Sequence, residues 1–269
     1  MNLLPLDTVA HRSHGWRAPA NLLFASNQSL VPMVLEELSS ALAHYPLAFA
    51  RAAEDDWHFV ALCGLQPGCN DCIDAQGRWR TSYVPSALRA YPFALVPQSG
   101  QEGKLLLCID TDSGCLVPSP NARQGEQRFF DEEGQLHASM QRVMAFLQAR
   151  LANQRLTQTA VQALVSAELL VPWVLPLSLK THPEHSLHKG LYRVDEARLN
   201  QLDGSAWQAL RQANAVPLAY AQLFSMARTA VLHALAQRQQ KAPPAKPTDP
   251  SIVQKLFDAG QGDTIKFNW

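Results

Sequence analysis

The chain has 269 residues, 47% of them hydrophobic and 17% charged, which is enough apolar material for one large or two small packed domains. Lys and Arg number 23, Asp and Glu also 23, so no basic excess exists to neutralise phosphates and nucleic acid is excluded as the main ligand. The same neutrality does little to keep copies apart, so a homo-oligomer stays open.

The segment Met1-Asn2-Leu3-Leu4-Pro5-Leu6-Asp7 has neither the basic flank nor the apolar run of a secretory signal. No apolar run reaches bilayer-spanning length, so no membrane span is expected. Pro32 to Ala43 reads as a helix, with Pro32 suited to its first turn. Ala48–Arg51 and Trp57–Leu62 are apolar or alternating, and Glu54-Asp55-Asp56 predicts the turn between two strands. Pro85 to Ala90 predicts a short helix that stops near Tyr91, because a residue before proline avoids the helical region. Lys104 to Ile109 is a continuous apolar run, expected as a buried strand.

The second half is helical in pattern. Leu136, Met140, Val143, Met144, Leu147 and Leu151 share one helical face. Thr157 is expected to cap a following helix that Pro172 closes, and Ser205-Ala206-Trp207-Gln208 has capping-box spacing. Tyr220, Phe224, Ala227, Val231 and Leu235 form a further stripe on a helix of about twenty residues. The proline-rich stretch 239–250 predicts an extended linker. Beyond it Ile265, Phe267 and Trp269 alternate as in a half-buried strand. The expected organisation is one α+β domain over 1–238, linker 239–250 and docking tail 251–269. A mainly antiparallel sheet from the N-terminal half should pack against helices from the C-terminal half.

Several blocks then occur in a telling order. They include Ala43-His44-Tyr45-Pro46, Trp57 to Gly64, Asn70-Asp71-Cys72-Ile73-Asp74 with Gly77-Arg78-Trp79, and Tyr83 to Phe93. Cys108-Ile109-Asp110, Arg128 to Gly134, Gly190 to Glu196 and Ala219 to Ser225 follow. On these blocks the chain resembles the SapC family over about Leu22 to Leu235, with Pro85 to Phe93 the most specific. The resemblance implies a bacterial protein and supplies no catalytic residues to carry over. The family name derives from a surface-layer locus. Members resemble neighbours of TonB-dependent receptor and flavin-dependent halogenase-like genes, which implies an accessory role in nutrient or peptide handling. The chain departs from the family pattern at Cys69 to Cys72, where asparagine followed by apolar residues is usual.

Four places carry candidate chemistry. Arg89, bracketed by Pro85 and Pro92 and flanked by Tyr83 and Tyr91, is presented at a fixed angle. Such a guanidinium can grip a carboxylate or phosphate with two parallel hydrogen bonds, with the aromatics as an apolar wall. The alternative is an internal ion pair to Asp74, Asp110 or Asp112. Asp110-Thr111-Asp112 follows the buried strand, so Asp110 is a candidate for ligand or cation binding, against an ordinary turn marked by Ser113-Gly114. His182, His185 and His188, with Glu184, form the best candidate for zinc or another transition metal if the loop wraps around it; His11 and His14 are a similar pair. Cys69 and Cys72 form a single CxxC, suited to a metal clip or a redox pair but set in a glycine-rich turn between strands.

No Walker loop, GxGxxG, HExxH or nucleophile elbow occurs. The reading is therefore a non-catalytic accessory or binding protein without a cofactor, recognising a protein partner or a small anionic ligand beside Arg89, Tyr83, Tyr91 and Asp110. A metal-dependent enzyme using residues 182–188 and a Cys69/Cys72 redox protein are the alternatives. Ile265, Phe267 and Trp269 either fold back on their own sheet or bind a partner by strand addition. The odd count of five cysteines and the lack of a signal point to a soluble cytoplasmic protein.

Overall fold

The computed structural model describes residues 2–53, 56–101, 103–175, 188 and 190–240. The strands, in chain order, are β1 (Leu3–Pro5), β2 (Gly15–Trp16), β3 (Leu30–Pro32), β4 (Leu47–Ala53), β5 (Asp56–Leu62) and β6 (Phe93–Pro97). They continue with β7 (Leu105–Asp110), β8 (Leu116–Val117), β9 (Gln127–Arg128), β10 (Leu170–Pro172) and β11 (Leu191–Val194). The helices are α1 (Leu38–Ala41), α2 (Ser86–Arg89), α3 (Ala138–Ser166), α4 (Glu196–Asn200), α5 (Gly204–Gln212), α6 (Ala215–Ser225) and α7 (Thr229–Gln240). Every pairing between these strands is antiparallel and the helices are mainly C-terminal, so the fold is α+β.

The described chain forms two compact units, one of 2–21 with 88–151 and the other of 22–87 with 152–240. The first holds the sheets β1-β7-β6 and β8-β2-β9. The apolar run predicted as a buried strand is β7, the centre of its sheet, with Leu3 opposite Asp110 and Phe93 opposite Ile109. Phe93, Leu107, Ile109, Phe129, Phe130, Met140 and Leu147 form the core, with Val143, Met144 and Phe146 packed against it. The predicted apolar face of α3 is thus the face that covers this core.

The second unit is built on the sheet β10-β11-β4-β5-β3. β4 and β5 pair as expected from their alternation, with Phe49 opposite Phe59. Two strands from the second half, β10 and β11, extend this sheet beyond β4. Among the described residues β11 is in register with β4 at Leu191–Ala50 and Tyr192–Phe49, and Arg51 N donates to Gly190 O at 3.1 Å just beyond. Past Tyr192 the fully buried Gln222 of α6 accepts from Val194 N at 2.9 Å and donates to Leu47 O at 3.3 Å. Ser225 Oγ accepts from Leu47 N at 2.9 Å. These side chains satisfy strand groups that would otherwise be buried without partners.

Four local expectations are corrected. Pro32 ends the edge strand β3 rather than opening a helix; edge strands tolerate proline, and the helical turn starts at Leu35. Thr157 lies inside the continuous α3 and caps no helix of its own. Its hydroxyl donates to Asn153 O at 2.7 Å and accepts from Leu35 N at 2.9 Å, so it serves the start of a different turn. Helix α3 ends at Ser166, before Glu168 takes a left-handed φ of 53°, and Pro172 ends β10 instead. Asp203, not Ser205, caps α5, accepting from Ala206 N at 2.8 Å. The Tyr220 stripe also differs. Of its members Leu235 is buried, but Phe224 is 67% exposed and Val231 38%, while Leu218 and Leu232, outside the stripe, turn inward.

Candidate functional site

In the first unit Arg89 ends the short α2 and its guanidinium lies over the Phe146 ring of α3, 5.3 Å from the centroid. Tyr91 follows, its N–H donating to Leu88 O at 3.2 Å and its own bond to Pro92 cis. The chain then turns into β6. The Tyr91 hydroxyl meets Asp110 and Ser113 at the end of β7, and its pKa is raised by burial first and by the Asp110 charge second. Asp110 is buried, and its Oδ1 accepts from Asn2 N at 3.0 Å and from Asp112 N at 3.2 Å. The carboxylate therefore caps the turn that follows and ties down the N-terminal strand. Arg89, Tyr91 and Asp110 thus belong to one unit.

Tyr83 belongs to the other unit. Its hydroxyl donates to Glu37 Oε1 at 2.6 Å, and its carbonyl accepts from Trp79 Nε1 at 2.7 Å and from the Tyr45 hydroxyl. Glu37 is the residue that sequence reasoning missed. It is buried, and it also accepts from Ser86 N at 2.6 Å, Ser86 Oγ at 2.8 Å and Val34 N at 3.2 Å. The one signal in the sequence was the acidic pair Glu36-Glu37 set between the apolar residues Val34-Leu35 and Leu38. Of the acids considered for Arg89, Asp74 is bound to Arg78, Nε to Oδ2 at 2.7 Å.

The cysteine loop closes back on β5. Asp71 N and Cys72 N both donate to Cys63 O, at 2.8 and 3.3 Å. Asn70 is buried and reaches Ala25 O at 3.2 Å, while Asp71 Oδ2 accepts from Leu65 N at 2.9 Å. Cys69 Sγ donates to Asp71 Oδ1 at 3.6 Å. Burial, then the Asp71 charge, pushes the Cys69 thiol up to about 11, and burial raises Cys63 well above its ordinary value. A thiol held protonated is a weak nucleophile. Iodoacetamide should therefore label native Cys69 more slowly than free cysteine at pH 8, with the rate climbing to about pH 11. Because the folded-state pKa is raised, the unfolded chain ionises first. Cys69 leaves stability unchanged below about pH 9 and lowers it between about 9 and 11. A labelling midpoint near the ordinary thiol value of about 8.5 contradicts this picture of the loop.

His188 Nε2 donates to Gly64 O at 3.1 Å, and burial lowers the pKa of its ring. His182 and His185 lie outside the described residues, as do Ile265, Phe267 and Trp269. Among the described residues no three His, Cys, Asp or Glu side chains are grouped to hold a metal ion. His11 is buried, its Nδ1 accepting from Asp7 N at 3.1 Å, and it meets His14 edge-on at 5.4 Å.

The family model for SapC matches residues 6–232. The chain belongs to the SapC family. The match includes every described candidate residue and stops before the tail at 251–269. No curated protein and no solved structure matches this SapC chain. No described helix is long and apolar enough to cross a membrane.

Proposed function

We propose that this SapC-family protein is a non-catalytic accessory protein that binds a small anionic ligand, or an acidic group of a partner, beside Arg89 and Tyr91. One observation carries the reading. Arg89 is a permanent cation laid on an aromatic ring, half-buried, and so restricted in orientation. Such a group is suited to recognition, since little side-chain freedom is lost when it binds. The described groups best suited to catalysis serve the fold: Glu37 and Asp110 accept hydrogen bonds from their own chain, and the Cys69 thiol is held protonated. All five cysteines are free, which supports work in a reducing compartment such as the cytoplasm.

Arg89→Ala removes the cation–aromatic contact with Phe146, worth about 1 kcal/mol, together with the side chain's other contacts, so the melting temperature should fall by a few degrees without loss of the fold. Wild-type protein at ten times the Kd of a bound anion should gain about 1.4 kcal/mol of stability, and the variant should not. Scanning fluorimetry against small carboxylates and phosphates reads both effects. Collapse of the variant by several kcal/mol, or an equal gain in both proteins, would overturn the proposal.

A further inference from the structure

We infer that Cys63 and Cys72 are an oxidisable dithiol, which a peroxide closes into a disulfide that clamps the loop between them onto the end of β5. The pair stands apart from Arg89, which belongs to the other unit. Cys63 directly follows β5, and the chain returns to it nine residues later. Asp71 N and Cys72 N both donate to Cys63 O, at 2.8 and 3.3 Å. Residues joined by such a bond hold their Cα atoms about 5.5 Å apart. That lies within the roughly 4.4 to 6.8 Å that a disulfide spans. Gly64 lets the loop come so close, since a Cβ there would collide with Cys69 O.

The side chains follow the backbone. The Cys63 thiol lies within hydrogen-bonding reach of the Cys72 thiol, and both sit beside the Tyr45 hydroxyl. The CxxC spacing offers Cys69 as the partner of Cys72 instead, but the Cys69 thiol donates to Asp71 Oδ1 at 3.6 Å. Sequence spacing and tertiary placement therefore name different pairs.

Enclosure decides the product. Cys63 and Cys72 are both 0% exposed, which bars a partner protein's thiol, whereas hydrogen peroxide is small enough to enter when the loop opens. One sulfur, as thiolate, attacks a peroxide oxygen; the O–O bond breaks, leaving a sulfenic acid and one water. The second sulfur, also as thiolate, attacks the sulfenic sulfur; the S–O bond breaks, the S–S bond forms and a second water leaves. Two thiols lose two electrons, one peroxide is reduced, and both thiol protons end in the waters. Burial keeps Cys63 protonated in the closed state, so the reaction waits on opening and the pair stays reduced until peroxide is present.

Full-length protein treated with hydrogen peroxide is unfolded in urea with N-ethylmaleimide to block the remaining thiols. Dithiothreitol then frees oxidised thiols for iodoacetamide. Mass spectrometry should find iodoacetamide on Cys63 and Cys72 and N-ethylmaleimide on Cys69, with no joined chains on a non-reducing gel. The closed loop spans ten residues, so the oxidised protein should melt about 5 to 10 °C above the reduced one, and dithiothreitol should reverse the gain. Cys69→Ala should keep both the labels and the gain, and Cys72→Ala should lose both. The labelling of the wild-type chain decides by itself if Cys72→Ala does not fold. Iodoacetamide on Cys69 and Cys72 instead, chains joined to one another, or Cys63 and Cys72 left reduced would overturn the pairing. An oxidised protein with the reduced protein's melting temperature would overturn the clamp.

Discussion

Gly64→Ala is expected to destabilise the second unit by about 4 kcal/mol or more, placing it among the most damaging single substitutions in this chain. A Cβ at Gly64 would stand 1.6 Å from Cys69 O and 2.8 Å from Cys69 C. Both are backbone atoms, so no side-chain rotation relieves the clash. The backbone on each side is also committed. Gly64 N donates to Ser29 O at 3.1 Å, Asn70 N to Ser26 O at 2.8 Å and Asp71 N to Cys63 O at 2.8 Å. Accommodating one methyl group means breaking part of that set, which adds unpaired buried groups to the steric cost. For a chain of this size the melting temperature should drop by roughly 10 °C. Gly204→Ala is the control. A Cβ there would meet nothing within 4 Å, and the residue opens α5, so the change should be neutral or stabilising by about 0.5 kcal/mol. A Gly64→Ala protein with the wild-type midpoint in urea would show that the loop does not pass so close.

Glu37→Gln is the second large effect, expected to cost about 3 kcal/mol although it is nearly isosteric. Each carboxylate oxygen accepts from one backbone N–H: Oε1 from Ser86 N at 2.6 Å and Oε2 from Val34 N at 3.2 Å. The hydroxyls of Tyr83 and Ser86 can turn round to accept from an amide, but the backbone donors cannot. Whichever way the glutamine amide is placed, one buried N–H faces another donor. Tyr83→Phe removes a single donor and should cost about 1 to 2 kcal/mol. In the double variant the two losses should fall short of additive, because Tyr83 and Glu37 share one hydrogen bond. Urea denaturation of the four proteins measures the coupling, and additive losses would mean the contact contributes nothing.

Much of the frame was readable from local pattern. Alternation with an acidic turn between the runs marks β4 and β5, the unbroken apolar run marks β7, and Pro92 sets the end of α2. The apolar spacing along the first half of α3 marks the face that covers the first unit's core. Local pattern misplaced Thr157 because a threonine that bonds within a helix and one that caps it look alike in sequence. Tertiary contact with Leu35 decides its role. It also overrated the Tyr220–Leu235 stripe, of which Leu235 is buried but Phe224 and Val231 are exposed. Tyr220 and Phe224 stack at 5.7 Å on an exposed face, while Gln222 and Ser225 turn inward to bond β4 and β11.

The candidate site divides the same way. Arg89, Tyr91 and Asp110 could be nominated from rigid flanking prolines and a strand end, but Tyr83 sits in the other unit on Glu37. Composition, periodicity and ordered blocks determine the α+β class, the short proline-bracketed helix and membership of the SapC family, because each is a property of neighbouring residues or of their order. Tertiary structure alone decided that β11 joins β4 at Leu191–Ala50, that Glu37 is buried and that Arg89 lies over Phe146. Those outcomes depend on partners far away along the chain, and a carboxylate or guanidinium carries no local mark of what will surround it.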